Sequence, residues 1–266
     1  MDPVVEDLAA EQLDLKGLLE GLTDSQWQSP TRCEGWDVSD VVIHLSQSDE
    51  MAVGSTQGRF AEVLGSLVGA LQPEGLQANG IGTEGFSGAG SVDEGVALMV
   101  ARERGVPRED LLARWWSTAN RLVESLDAMD LSKCVMWVTG ELSARSLATT
   151  RLAETWIHGG DIAGALGIAR NPTDRIRQIS RLAWRTLPYA FTSAGRSLSG
   201  PVAFKLTSPS GDPWDFLPDE PAVTTISGPA SELCDVASRR VDPTETKLVG
   251  IGPDAADVLA LVRTYA

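Results

Sequence analysis

The chain has 266 residues, of which 42% are hydrophobic and 22% charged, a balance typical of a globular protein that can bury a sizeable core. Its formal net charge of -15 would repel phosphate backbones and anionic headgroups, so we expect neither nucleic acid nor a membrane as partner. Small molecules are then the expected ligands. The sequence shows no leader-like segment or membrane-spanning apolar run, and its three cysteines lack CxxC spacing, so we expect a cytoplasmic protein with reduced thiols. Because no self-complementary apolar stripe is evident, a monomer is the default expectation.

The first two thirds of the chain show apolar residues at helical spacing, which predicts four long helices. The first helix covers residues 5–22, and the second begins at the capping residue Asp37 and continues toward Ala70. A glycine-rich segment from Gln72 to Val92 predicts a mobile loop, long enough to form a lid. Helical spacing resumes near residue 93, and a fourth helix is predicted from the cap Ser143 to about residue 167. Four long helices joined by loops favour a bundle.

The last third of the chain has a different pattern. One arginine-rich helix is predicted over residues 173–191, followed by short alternating stretches typical of strands, at residues 202–209, 214–218, 222–228 and 247–252. Two short helices are interspersed among them. We therefore predict an α+β protein with a helical domain at residues 1–170 and a small α+β domain at residues 171–266, in which residues 171–198 form a bridging helix.

The chain contains two histidines, His44 and His158, and the second lies four residues after Glu154. Residues four apart lie on the same face of a helix, so Glu154 and His158 can point toward one ligand. With His44 from a neighbouring helix they would form a three-ligand metal site with an open position, as in catalytic zinc sites. The alternative is two separate core histidines and a glutamate that faces solvent. An ExxxH pair is a short motif with many chance matches.

Three further residues are candidates for catalysis. Asp161, one turn after the second histidine, could hydrogen-bond a ligand imidazole or contact substrate, or it could only bond a nearby arginine such as Arg151 or Arg170. Arg239 and Arg240 end a predicted helix, where a cation is favoured by the helix dipole. They could instead clamp the carboxylate of a substrate.

Two segments carry a family resemblance, PTRCEGWDVSDVVIHL at residues 30–45 and RLAETWIHGGDIAGALG at residues 151–167. They resemble the actinobacterial DinB-like metal-binding family that is related to mycothiol-dependent maleylpyruvate isomerase, and weaker likeness extends over most of the chain. The resemblance implies a DinB-like four-helix bundle followed by a small sterol-carrier-like α+β domain. It also implies Zn2+, or another divalent metal, held by the positions His44, Glu154 and His158.

The same resemblance implies a reaction type. Members of such a family would use a low-molecular-weight thiol such as mycothiol for S-transfer to, or isomerisation of, a small electrophilic metabolite. Asp161 matches the family's aspartate, and an arginine implicated in substrate handling would fall at Arg239 or Arg240. The chain has Gly160 where many relatives have glutamine, which puts a polar contact to thiol or substrate in doubt.

Two other classes of function remain open at this stage. Two histidines and one carboxylate can also hold Fe(II) for oxygen chemistry or activate water for hydrolysis. Alternatively, a bundle with a buried cleft could bind a small ligand without any catalysis. Metal identity and thiol dependence would separate these classes.

Overall fold

The computed structural model describes residues 1–69, 92–138 and 140–264. The chain divides into two compact units, Met1–Ala169 and Arg170–Ala266. The predicted lid over Gln72–Val92 lies almost entirely outside the described residues. No helix within the described ranges combines the length and the apolar character that a membrane crossing requires.

The first unit is built on four long helices, as the hydrophobic spacing predicts. In the described part of this unit, three shorter helices and a two-stranded antiparallel hairpin connect them. The elements of this unit are α1 (Pro3–Glu20), α2 (Asp24–Trp27), α3 (Val38–Thr56), α4 (Phe60–Gly69), α5 (Val92–Arg102), α6 (Arg108–Asp127), β1 (Cys134–Trp137), β2 (Gly140–Ser143) and α7 (Ala144–Ala165).

The long helices α1, α3, α6 and α7 form the predicted bundle, since α1 and α3 each pack against both α6 and α7. The apolar stripe of each helix faces its neighbours, and Leu45, Leu111, Trp115 and Leu122 are fully buried between them. Burial of each such side chain contributes about 1.5–3 kcal/mol, so the packed faces, rather than helix propensity, hold the bundle together.

The start of α3 is fixed by a capping box. The Asp37 carboxylate accepts a hydrogen bond from the Asp40 backbone N–H at 2.9 Å, and the Asp40 carboxylate accepts one from the Asp37 N–H at 3.3 Å. The Arg104 guanidinium donates to both oxygens of Asp40, at 2.9 and 2.8 Å. The capping box fixes the residue at which α3 begins, and therefore the face of the helix on which His44 lies.

One local prediction in this unit is wrong. The helix expected to continue toward residue 70 ends at Thr56, because Gly58 adopts a left-handed backbone conformation (φ 70°) that glycine tolerates and that stops the helix before α4 begins. The connection around Val135 is a hairpin, in which Val135 and Trp137 are buried while Cys134 is exposed. That alternation is typical of a strand with one face on a core.

The helix that carries Glu154 and His158 follows the prediction closely. The Ser143 side chain caps α7 by accepting from the Ser146 N–H at 3.1 Å, and the helix ends just before Gly167, which has φ 66°. Its 22 residues make it the longest helix described. Most of its side chains are buried, including the polar Arg151, Glu154, His158 and Asp161.

The second unit combines a four-stranded sheet with helices, and the predicted strands are confirmed. Its elements are α8 (Ile176–Arg185), α9 (Leu187–Ser193), β3 (Val202–Thr207), β4 (Pro213–Phe216), β5 (Thr224–Pro229), α10 (Ala230–Ala237), a 3-10 turn (Pro243–Glu245), β6 (Val249–Ile251) and α11 (Ala255–Leu261). The strand order is β4-β3-β5-β6, with β3 and β5 parallel and the outer pairs antiparallel.

Helices α8, α10 and α11 pack on the strands of this sheet, around buried side chains such as Phe204, Ile226 and Leu233. The single helix predicted over residues 173–191 is wrong, because the chain forms two helices that meet at Thr186. Pro188 in the first turn of α9 lacks an N–H and cannot continue the hydrogen-bond ladder of α8. The predicted α+β fold class is confirmed.

Candidate metal centre

Helices α3 and α7 bring His44, Glu154 and His158 together inside the bundle. The Glu154 Oε2 atom lies 3.1 Å from His44 Nε2 and 3.5 Å from His158 Nε2. The two imidazole centroids are 4.9 Å apart, and Trp36 covers His44 with its ring centroid at 5.4 Å. The alternative of two separate core histidines and a glutamate that faces solvent does not occur.

The spacing of these three donor atoms fits one divalent ion. All three lie within 4.8 Å of one another. Ligand atoms about 2.0–2.2 Å from a tetrahedral zinc stand about 3.3–3.6 Å apart; the separation of 3.5 Å lies within this range and that of 3.1 Å slightly below it. The side chains keep exposed fractions of 15% for His44, 10% for Glu154 and 9% for His158, so the centre is enclosed without being sealed. Two imidazole nitrogens and one carboxylate are also a donor set that zinc prefers.

The electrostatics of the three side chains differ, although Glu154 and His158 are buried and His44 is mostly so. Desolvation lowers the pKa of His44 below its ordinary value of 6.5, and the bond to Glu154 only partly offsets this. Burial alone would raise the pKa of Glu154, but the two imidazoles and the charge of Arg151 hold it well below 4.5. Burial would also lower the pKa of His158, yet bonds to Asp161, Cys33 and Glu154 keep it well above 6.5. The centre therefore contains an ionised carboxylate that attracts a cation.

Asp161 lies on the far side of the His158 ring from Glu154. Its Oδ2 atom is 3.0 Å from His158 Nδ1, while the side chain is almost completely buried. With Nε2 directed toward the centre, the Nδ1–H donates to this carboxylate and the ring is held in one orientation. The expected contact between Asp161 and an imidazole is thus present in the structure, whereas its part in catalysis stays a prediction.

Cys33 joins the same group, although the sequence predicted only that its thiol is reduced. Its thiol donates to Asp161 Oδ2 at 3.4 Å, and Cys33, His158 and Asp161 form a second close set of donor atoms. The loop before α3 positions the thiol through a turn in which the Trp36 N–H donates to the Cys33 carbonyl at 3.0 Å. A cysteine in a loop 128 residues from its partner carries no local signal that would have identified it.

Behind the centre lies a buried ion pair that the sequence also did not reveal. The Arg151 Nε donates to Asp49 Oδ1 at 3.2 Å, with exposed fractions of 3% and 0% for the two side chains. Gln12 donates to the other oxygen of Asp49 at 3.4 Å. Buried charges in proteins are usually paired, so this ion pair is expected once the structure shows that both side chains are buried. The sequence alone does not show that burial.

The structure places Arg239 and Arg240 in the second unit, directly after α10. Arg239 has φ 61° and donates from Nη1 to the Ala260 carbonyl at 2.8 Å, while Arg240 donates from Nη1 to the Ser238 carbonyl at 2.7 Å. These bonds fit the simpler interpretation that the arginines satisfy carbonyls near helix ends. Their proposed part in binding a substrate stays a prediction.

Fold and site together define an α+β protein whose helical bundle carries a candidate two-histidine, one-carboxylate metal centre. A family model described as "Mycothiol maleylpyruvate isomerase N-terminal domain" matches residues 8–163, a range that includes all three candidate ligands. The chain belongs to this family, and the family resemblance predicted from the sequence is confirmed.

The chain is also similar to two proteins of Mycobacterium tuberculosis, Rv0036c of strain H37Rv and MT0041 of strain CDC 1551, both described as uncharacterized. Each is 32% identical over 267 residues, which cover 99% of this chain and 95% of the relative. The family relationship therefore extends over both units of the chain.

Two solved structures share the fold. A crystal structure of a mutant of the mycothiol-dependent maleylpyruvate isomerase matches with a TM-score of 0.58 and 15% identity, covering 94% of this chain and 93% of that chain. A second crystal structure of the mycothiol-dependent maleylpyruvate isomerase matches with a TM-score of 0.57 and 16% identity, covering 91% of each chain. At such low identity the likeness establishes a common fold.

Proposed function

We propose that this protein is a divalent-metal-dependent enzyme, with zinc as the expected metal. Its cosubstrate would be a low-molecular-weight thiol such as mycothiol. The reaction would isomerise a small electrophilic metabolite or transfer sulfur to it. The observation that carries the proposal is the group of His44, Glu154 and His158, whose donor atoms have zinc-like spacing inside a fold shared with a mycothiol-dependent isomerase.

The proposed roles follow from the chemistry of each side chain. His44, Glu154 and His158 would hold the metal, and Asp161 would keep the proton on Nδ1 of His158 so that Nε2 stays free for coordination. A divalent metal held by these three side chains would supply positive charge that favours the thiolate form of a thiol over the neutral form. Low exposure of the three ligands limits water near the reacting sulfur.

The reaction needs no oxidant or reductant. A thiolate that adds to a double bond conjugated with a carbonyl forms a C–S bond, and the π electron pair moves onto the carbonyl oxygen to give an enolate. Rotation about the former double bond, followed by return of the electron pair and elimination of the same thiolate, gives the isomerised alkene and regenerates the thiolate. With a substrate that carries a leaving group, the C–S bond is kept and the leaving group departs, which yields an S-conjugate. Nucleophilic catalysis of this type divides one difficult step into two easier ones.

Arg239 and Arg240 are proposed to bind an anionic group of the substrate, since a guanidinium can form two parallel bonds with a carboxylate. Low-molecular-weight thiols are kept reduced in the cytoplasm, which is therefore the compartment we propose for this function.

The test begins with metal content. Elemental analysis of protein purified without an affinity tag is compared among the wild type, His44→Ala and the control Asp127→Ala, whose carboxylate is 44% exposed. We expect close to one zinc per chain in the wild type and the control, and loss of zinc in His44→Ala. A wild type that takes up no divalent metal, even after reconstitution, would refute the proposal.

Thiol binding is measured next, by calorimetry with mycothiol on metal-loaded and metal-free protein. The proposal requires binding to the metal-loaded form only. Stoichiometric metal without thiol binding would instead support a hydrolase or an Fe(II) oxygenase, because the same donor set serves both. Ligand binding that is unchanged in His158→Ala would indicate a binding protein without a metal-dependent reaction.

A further inference from the structure

The Arg151 guanidinium is buried next to the candidate metal centre, and its Nη2 group is not used in any hydrogen bond within the described part of the chain. Its side chain is only 3% exposed, and its Nε is engaged by Asp49. The Nη2 group has no hydrogen-bond partner among the described residues and is shielded from solvent. Its distance of 3.8 Å to Glu154 Oε2 lies within ion-pair range but outside hydrogen-bond range.

The position of this guanidinium is fixed on two sides. Asp49 holds Nε, and the face of the Trp137 ring lies 5.7 Å from the central guanidinium carbon. Asp49 is itself anchored by Gln12. A guanidinium held in this way cannot turn freely to find another acceptor, so Nη2 stays directed toward the side of the centre where Glu154 lies.

A buried N–H without an acceptor is unfavourable, because it has lost its bond to water and gained none in return. Buried polar groups in native proteins nearly always have a partner, and an exception calls for a physical reason. Glu154 Oε2 cannot serve easily, since it is already shared between the two histidines at 3.1 and 3.5 Å. The missing acceptor is therefore expected to come from a ligand.

Charge indicates what kind of ligand this is. Two neutral imidazoles and one carboxylate leave a divalent ion with one net positive charge, and the charge of Arg151 is balanced by Asp49. A negatively charged ligand would neutralise the centre and also accept the Nη2–H. A neutral ligand would leave the net charge in place within a poorly solvated site.

We propose that Arg151 is an anion-binding residue of this centre, donating from Nη2 to the negatively charged atom of a ligand bound beside the metal. This inference rests on the metal centre proposed above. The anion has two possible sources, the thiolate of the cosubstrate or a carboxylate of the substrate. Both present the same chemistry to a guanidinium, namely a charged acceptor for a short N–H bond.

The test compares charged and neutral ligands on one metal. Cobalt(II)-substituted wild type, Arg151→Met and Arg151→Lys are titrated with 2-mercaptoethanol as the thiolate probe, with acetate as the carboxylate probe and with imidazole as the neutral probe. Binding is followed in the visible spectrum of cobalt. Arg145→Met, on the same helix, is the control, because its guanidinium pairs with Asp2 at the surface.

We expect Arg151→Met to weaken binding of at least one anionic probe by about tenfold to a hundredfold, as for the loss of a charged hydrogen bond, while imidazole binding changes less than threefold. Loss for 2-mercaptoethanol alone identifies the thiolate as the partner, and loss for acetate alone identifies the carboxylate. Arg151→Lys should fall between, since it keeps the charge but not the planar donor. Equal effects on all three probes, or none, would overturn the inference.

Two further results separate a folding defect, or a failure of the proposed function, from a failure of the role proposed for Arg151. If Arg151→Met fails to fold, a crystal structure of the zinc-loaded wild type soaked with acetate decides the question. A distance of about 2.7–3.2 Å from Nη2 to the anion supports the inference, and an Nη2 bonded to Glu154 instead contradicts it. A wild type that binds no metal would refute the proposed function and, with it, the proposed anion-binding role of Arg151. Retained metal without a selective effect on anions would refute the role of Arg151 alone.

Discussion

Removal of the Asp161 carboxylate should weaken metal binding without removing any proposed ligand. In Asp161→Ala the Nδ1–H of His158 loses its acceptor at 3.0 Å, inside a site where water has little access. The ring can then adopt the other tautomer or rotate, and both changes reduce the fraction of protein with Nε2 ready for the metal. Asp161→Asn keeps an oxygen acceptor and loses only the charge.

The size of the effect follows from the bond that is lost. A buried hydrogen bond to a charged group contributes about 1.5–3 kcal/mol, and each ~1.4 kcal/mol changes an equilibrium constant tenfold. Asp161→Ala should therefore raise the dissociation constant for zinc by about tenfold to a hundredfold, the range also typical of residues that orient metal ligands. Asp161→Asn should lie near the lower end, because a neutral acceptor remains.

Competition with a chromophoric chelator measures the dissociation constant for zinc, at one pH and ionic strength for all variants. Asp127→Ala serves as the control for the loss of an exposed carboxylate in the same unit. Circular dichroism confirms that each variant is folded. A dissociation constant for Asp161→Ala within about twofold of the wild type would refute the reasoning, since a bond of 1.5 kcal/mol corresponds to about tenfold.

Three other changes have defined outcomes. Cys33→Ala removes a weak donor to Asp161, so the dissociation constant for zinc in the same competition assay should rise less than about tenfold, and a loss as large as for Asp161→Ala would instead indicate that the thiol binds the metal. Burial raises the pKa of Asp49 from 3.8 to about 6 despite the neighbouring guanidinium. At a pH between these two values the folded state therefore binds a proton that the unfolded state does not. Metal-free wild type should accordingly gain up to about 3 kcal/mol of stability relative to Asp49→Asn as the pH falls from about 7 to about 4, and denaturant unfolding that shows the opposite slope would contradict this. Gly252→Ala should destabilise the second unit by about 2 kcal/mol or more in urea unfolding, because Gly252 has φ 116° and a Cβ there would lie 2.2 Å from the Val223 carbonyl oxygen; an unchanged midpoint would show that the loop adapts.

Local features of the fold could be predicted well because their causes are local. The caps at Asp37 and Ser143 specify where α3 and α7 begin, and the stripes of apolar residues place both ends of α1 and α7 within a few residues. The division into a helical part and an α+β part follows from a change of hydrophobic period, from 3.6 to 2, along the chain. Errors occurred where a single residue redirects the chain, as at Gly58 and Pro188.

In the candidate site, too, the local relationships could be predicted from the sequence and the long-range pairs could not. Glu154 and His158 share a helix face by their spacing alone, whereas His44, 110 residues away, was added as the chain's other histidine on a second predicted helix, and the family resemblance supported that addition. Neither Arg151 with Asp49 nor Cys33 with Asp161 was predicted as a pair, and their partners are 102 and 128 residues apart. No periodicity or short motif connects residues at such separations.

Helix positions, helix ends and the orientation of side chains within one helix are encoded by neighbouring residues, since backbone hydrogen bonds and caps act over a few positions. Contacts between helices depend on how their apolar faces pack, and that packing selects which polar side chains are buried together. In this protein, helix packing places Arg151 Nη2, which has no hydrogen-bond partner in the described part of the chain, 3.8 Å from Glu154 Oε2, the oxygen that lies between the two histidines. This placement arises only when α3, α7 and the hairpin pack around one core.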